Sequence, residues 1–159
     1  HWIVFGDGHR RPWLEQQRVQ LGLQRCFHVL GQRPMETMPY YFALADVLLV
    51  TLRNDPIFAL TIPSKVQSYL ACAKPIVAAL DGEGARVVTD SGAGIAVPAG
   101  NASALAEAVL RLYRQPPEQR RRMGECGRTY FDKNFEREML IDRLESWMLE
   151  VTEGNACAS

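Results

Sequence analysis

Short apolar runs rich in Val, Ile and Leu alternate along this chain with amphipathic segments of helical period. This alternation predicts βαβ units that feed a parallel sheet, and the runs lack the strict apolar-polar alternation of half-solvated strands. We therefore predict an α/β fold with a doubly wound parallel sheet, covered on both faces and followed by extra C-terminal helices. The predicted strands are residues 2–5, 26–30, 47–52, 75–80 and 94–98. The predicted helices are residues 11–22, 36–45, 64–73, 84–91, 102–114, 117–130 and 135–151.

Two of these helices carry clear boundary signals. Asn101 is a good N-cap for helix 102–114. In the stretch TIPSKVQSYLACAKP, residues 61–75, Ser64 followed by Gln67 matches a capping box, so we expect the Ser64 side chain to cap helix 64–73. The predicted buried stripe of that helix is Val66, Tyr69, Leu70 and Ala73. Another face is predicted to hold Lys65, Ser68 and Cys72.

Composition narrows the class of protein. At 159 residues and 47% hydrophobic, the chain suits a globular domain with a real core. Its 18 basic residues balance 18 acidic ones, so no overall positive field favours nucleic acid, and any anion site must be local. The four cysteines lack the spacing of a zinc site and are predicted to be reduced, buried thiols; they are Cys26, Cys72, Cys126 and Cys157.

The two ends of the chain raise separate expectations. The opening HWIVF has no initiator Met and begins in a strand-like run, so we expect a fragment of a longer protein. No apolar run approaches the roughly 20 residues of a membrane-spanning helix. Residues 135–151 form a broad apolar face at helical period that must pack on something, and the tail 152–159 is expected to be disordered.

Ligands of open parallel sheets bind outside the carboxyl ends of the strands, so the loops after each run are the candidate sites. The turn FGDGHRR has Arg11 where a dinucleotide fingerprint needs its third glycine, which weakens an NAD hypothesis. At the start of helix 64–73, Lys65 is either a phosphate ligand beside a positive helix end or a solvated surface lysine. Glu83, between glycines, either accepts hydrogen bonds from sugar hydroxyls or is simply solvated.

Taken in order, four segments resemble the C-terminal, donor-binding domain of GT-B glycosyltransferases of family 4, of the type that builds bacterial cell-surface polysaccharides such as O-antigen. The segments are FGDGHRRPWLEQQRVQLGL, VLGQRPMETMPYYFALADVLL, IPSKVQSYLACAKPIVAALDGEGARVV and SGAGIAVPAGNASALAEAVLRLY. The resemblance implies a Rossmann-like domain, residues 1–134, that binds a nucleotide sugar. It also implies that helix 135–151 packs toward an absent N-terminal half, with 152–159 as a tail.

The resemblance also implies contacts with the donor, which is expected to be a UDP-sugar. The base is expected near Gly31, Gln32, Arg33, Pro34 and Met38. The diphosphate is expected at the helix start, near Thr61, Ser64, Lys65, Val66 and Ser68.

This sequence departs from the family pattern at three positions. Leu60 and Ser68 stand where many members have glutamates, and Ala73 stands where a glycine usually precedes the next strand. Asp55 and Glu83 are the candidates to replace the glutamates, so the predicted catalytic residues are Lys65, Asp55 and Glu83.

The resemblance therefore implies a retaining glycosyltransferase that needs neither a metal nor another cofactor, and a fragment that is inactive alone. The acceptor would bind mainly to the absent half. A cytoplasmic enzyme is expected, at the inner face of the plasma membrane in its full-length form, with self-association through the last helix as a further expectation. The alternatives are a nucleotide-sugar epimerase with a related fold and a non-enzymatic, flavodoxin-like interaction module.

Overall fold

The structure of this chain, a computed structural model, describes residues 1–156 and divides into two compact units, His1–Tyr41 and Phe42–Ser159. The strands are β1 (Trp2–Val4), β2 (Phe27–Val29), β3 (Leu48–Thr51), β4 (Ile76–Ala79) and β5 (Gly94–Val97). The helices are α1 (Arg11–Gln20), α2 (Met38–Leu44), α3 (Pro56–Ala59), α4 (Ser64–Ala71), α5 (Glu83–Asp90), α6 (Ala102–Arg114), α7 (Pro117–Asn134) and α8 (Arg137–Ala156). The domain boundary predicted from the sequence lies at residue 134 instead, and that boundary stays a prediction.

The first unit is a parallel βαβ arrangement. Strands β1 and β2 pair in register from Trp2 opposite Phe27 to Val4 opposite Val29, and α1 connects them. Trp2 is 41% exposed and Ile3 is 50% exposed, so the prediction that every strand is covered on both faces is wrong for β1. The physical reason is that the one helix connecting the two strands, α1, has ten residues of which none is buried, so it gives the strands little cover.

The second unit is a three-stranded parallel sheet in the order β3, β4, β5 with helices on both faces. The side chains of its central strand alternate between two cores. Ile76 and Ala78 pack with residues of α4 and α5, whereas Val77 packs with Ala108 and Leu112 of α6. All four residues of β4 are buried. This arrangement confirms the predicted α/β fold with parallel strands covered by helices.

Several helix ends differ from the predicted ones. The Asn101 side chain accepts a hydrogen bond from the Ala104 N–H at 3.0 Å, which confirms it as the N-cap of α6. The chain between β3 and α4 contains the short helix α3, which the sequence did not predict. Helix α8 continues past residue 151 to Ala156, into the tail expected to be disordered, and residues 157–159 lie outside the described part.

The last helix exposes the apolar face that the sequence predicts. Seven of its large apolar side chains are between 37% and 65% exposed: Leu140, Ile141, Leu144, Trp147, Met148, Leu149 and Val151. Its packing against an absent half or a second copy stays a prediction. No helix within residues 1–156 is long and apolar enough to cross a membrane.

The cysteines are less buried than expected. Cys26 and Cys126 are exposed and Cys72 is half-buried, all three as free thiols, so the prediction of buried thiols is wrong for these residues. The reason is that Cys26 precedes β2 on an exposed turn and Cys126 lies on the outer side of α7. Cys157 lies outside the described residues.

Candidate functional site

The start of α4 lacks a side-chain cap. Pro63 is its N-cap residue, with φ −60° and ψ 135°, and no side chain hydrogen-bonds to the first turn. The prediction that Ser64 caps the helix through a capping box is therefore wrong. An N-cap residue has non-helical backbone and its side chain accepts a hydrogen bond from an N–H further along the first turn, but Ser64 is already the first helical residue, one position past the N-cap.

The missing cap leaves backbone donors at the helix end. The Val66 N–H donates to the Pro63 carbonyl oxygen at 2.9 Å, so this N–H is engaged. The N–H groups of Ser64 and Lys65 are in the first turn, where no intrahelical acceptor exists. The first turn contains no acidic residue, so the positive end of the helix dipole is not neutralised by its own side chains. These donors are suited to an anion.

Lys65 adds a full charge to this end. Its side chain is exposed, and within residues 1–156 it forms no hydrogen bond or ion pair. Ser68, one turn later, is exposed as well. These two side chains therefore lie on the exposed face of α4 as predicted, where a ligand can reach them, whereas Cys72, predicted on the same face, is the half-buried C-cap residue.

The rest of α4 is anchored in the core. Val66 and Leu70 are fully buried, and Tyr69 is 8% exposed. The Tyr69 hydroxyl donates to the Leu49 carbonyl oxygen at 3.4 Å, and burial raises the pKa of this phenol. Because the Val66 side chain is held in the core and its N–H is bonded, its predicted role as a phosphate contact has no support in this geometry. Thr61, just before the helix, is exposed and its hydroxyl donates to the Phe58 carbonyl oxygen at 3.2 Å.

The two candidate carboxylates already have partners. The Asp55 side chain accepts a hydrogen bond from the Ile57 N–H at 3.1 Å and so caps α3. An Asp followed by Pro is a helix-start signal that the sequence reasoning missed. Glu83 is the first residue of α5 and pairs with the Arg86 guanidinium, whose hydrogen bond and charge lower the pKa of the Glu83 carboxyl. Glu83 is thus held ionised, with an arginine as its neighbour.

The predicted base-binding residues belong to the first unit. Gly31 has a φ of +70°, and its carbonyl oxygen accepts a hydrogen bond from the Gly6 N–H at 2.9 Å. Gln32 and Arg33 follow with exposed side chains. Pro34 begins the 3-10 turn Met35–Thr37, after which Met38 is half-buried at the start of α2. Gln32, Arg33 and Pro34 therefore form one exposed bend after β2, whereas Gly31 before them is buried.

The first unit also contains a cleft that the sequence did not predict. It has a volume of about 430 Å³ and lies beside the turn that follows β1. Apolar side chains line most of it, and at its edge Arg11 forms an ion pair with Asp7 at 3.0 Å. Gly6 has a φ of +130°, a conformation that favours glycine, and so allows the turn.

This chain is similar in sequence to a known protein family and in structure to several solved proteins. The family model described as Glycosyl transferases group 1 matches residues 1–115. Sucrose-phosphate synthase from Thermosynechococcus elongatus is similar in structure, with a TM-score of 0.78 and 22% identity over 96% of this chain and 38% of its own. HepE from Anabaena, in complex with UDP-glucose, has a TM-score of 0.73 and 23% identity over 91% of this chain and 40% of its own.

A glycosyltransferase from Rickettsia africae is similar at a TM-score of 0.72 and 19% identity, over 91% of this chain and 38% of its own. These likenesses show a shared fold, and this chain spans 38% to 40% of the length of the three structures. No curated protein sequence matches this chain.

Proposed function

This chain belongs to the glycosyl transferases of group 1, and from that membership we propose that it is the donor-binding domain of an enzyme that transfers a sugar from a nucleotide diphosphate sugar. The observation that carries the proposal is the uncapped start of α4. There, two backbone N–H groups have no intrahelical acceptor and Lys65 adds a positive charge. Helix N-termini of this kind bind phosphate groups readily. The complexes of HepE with UDP and with UDP-glucose support a uridine nucleotide as the donor to test first.

The proposed chemistry needs stabilisation of a leaving group. The bond between the anomeric carbon and the diphosphate oxygen breaks, and a new bond forms to an acceptor hydroxyl, whose proton passes to the departing diphosphate. Lys65 and the α4 N–H groups stabilise the charge that develops on that diphosphate. The proposal includes retention of the anomeric configuration, no metal ion, and a polysaccharide precursor as acceptor, bound outside this chain.

The remaining predicted contacts differ in whether their side chains are exposed or already hydrogen-bonded within the protein. Ser64 and Ser68 have exposed side chains beside Lys65, which supports them as further diphosphate contacts. For Asp55 and Glu83, the support is weaker because each side chain already accepts hydrogen bonds within the protein. For the first unit by itself, the exposed bend supports backbone contacts of Gln32 and Arg33 with the base.

Titration of the isotopically labelled 159-residue chain with UDP, followed by NMR, tests the proposal. We expect UDP to perturb the backbone amides of residues 64–67 and uridine to leave them unchanged, because only UDP carries the diphosphate. If UDP perturbs none of these amides, the donor-site proposal is wrong, and the interaction-module alternative gains support. A panel of nucleotide sugars against the full-length enzyme then identifies the sugar and the base.

A further inference from the structure

We propose that Gly82 and Gly84, at the start of α5, are positioning residues that hold the first turn of α4 in place to bind a diphosphate. The inference rests on the proposed donor site and extends it to a neighbouring helix. Neither glycine carries a group that could touch a ligand through a side chain. Their role follows from how closely they let the segment before α4 approach.

Gly82 allows close contact with the end of α3. It is the N-cap residue of α5 and has a φ of +69°, a conformation that favours glycine. A Cβ at this position would overlap the carbonyl oxygen of Ala59 and lie 2.6 Å from the Ala59 Cα. Backbone thus rests directly on backbone, and no side chain fits between the two.

Gly84 allows close contact with the start of α4. It is buried, and a Cβ here would lie 3.0 Å from the Cδ of Pro63 and 3.0 Å from the Leu80 Cδ1. Pro63 is the N-cap residue of α4, and its carbonyl oxygen accepts the Val66 N–H. Any displacement of Pro63 is therefore passed straight to the first turn.

The two contacts hold both ends of the segment from Ala59 to Pro63. This matters because the first turn of α4 has no side-chain cap to fix it. A binding site for phosphate oxygens depends on donors being held within hydrogen-bond distance, so a shift of a few tenths of an ångström at Pro63 misplaces the N–H groups of Ser64 and Lys65. Packing on two glycines takes over the positioning that a capping side chain gives other helices.

Gly84→Ala tests the inference, with Gly127→Ala as the matched control. Gly127 is also a buried helical glycine of the second unit, and a Cβ there would lie 3.0 Å from the Leu70 Cδ2, at the other end of α4, and 2.9 Å from the Ala93 Cβ. Both variants therefore add a methyl group at similar crowding, and both touch α4 or its N-cap. Only Gly84→Ala pushes on its first turn.

We expect Gly84→Ala to bind UDP about tenfold more weakly, the equivalent of one lost hydrogen bond to a charged group. Its affinity for uridine should not change, and Gly127→Ala should bind both ligands like the unmodified chain at a similar loss of melting temperature. Equal UDP affinity in Gly84→Ala and the unmodified chain, or equal losses in the two variants, overturns the inference alone. If the unmodified chain binds UDP no better than uridine, the proposed function fails with it.

Should Gly84→Ala not fold, Pro63→Ala removes the other side of the contact. This variant should weaken the affinity for UDP and leave the affinity for uridine unchanged. An unchanged UDP affinity in Pro63→Ala overturns the inference.

Discussion

Replacing Lys65 with alanine separates the two interpretations of this residue. The side chain is exposed and forms no ion pair with the rest of the described chain, so its removal leaves no buried group without a partner. Exposed changes of this kind usually alter the free energy of unfolding by less than about 0.5 kcal/mol. We therefore expect Lys65→Ala to melt like the unmodified chain.

The expected loss of affinity follows from the setting of the charge. A hydrogen bond to a charged group contributes about 1.5 to 3 kcal/mol, while a fully exposed ion pair contributes about 0.2 to 1 kcal/mol. Lys65 lies in solvent but beside backbone donors that can share the same anion, so we expect about 1.4 kcal/mol, a tenfold weaker affinity for UDP. Added salt should reduce the difference, because mobile ions screen an exposed charge.

Calorimetric or NMR titration with UDP and uridine measures this effect. The other two lysines provide controls that remove the same charge elsewhere. Lys133 lies on an exposed part of α7, and Lys74 donates to the Ala43 carbonyl oxygen at 2.6 Å, so Lys74→Ala should lose stability but keep its UDP affinity. Equal UDP affinity in Lys65→Ala and the unmodified chain, or an equal loss in Lys133→Ala, would show that Lys65 is a solvated surface residue.

Two further predictions concern stability. Ser64→Ala should change the free energy of unfolding by less than about 0.5 kcal/mol because Ser64 is not a cap, whereas Asn101→Ala should cost about 1 kcal/mol; denaturant unfolding of both tests this, and equal losses would restore the capping box. Ala73→Gly should stabilise the chain by about 0.5 to 1 kcal/mol, because Ala73 has a φ of +53° and glycine relieves that strain at a smaller entropic cost. A lower unfolding midpoint for Ala73→Gly would contradict this reasoning.

The corrected positions share a physical cause. The capping box at Ser64 is a local signal, but the helix begins one residue earlier than that signal requires, because Pro63 packs against Gly84 and because Val66 and Leu70 hold the helix in the core. Local hydrogen-bonding preference was weaker than the burial of an apolar stripe. The exposure of β1 likewise shows a local pattern that does not decide the structure. Its sequence resembles that of a buried strand, but the first unit contains little that covers it.

Sequence alone was enough for the five strands, for the burial of Val66, Tyr69 and Leu70 in α4 and for the exposed position of Lys65, but Ala73, predicted in the same stripe, lies half-buried past the helix end. These features depend on the period of apolar residues, which is written locally along the chain. Tertiary structure decided that Gly82 meets Ala59 and that Gly84 meets Pro63, and these contacts flank the uncapped start of α4. Those features depend on atoms more than ten residues apart along the chain, and a contact of that kind has no periodic signature in the sequence.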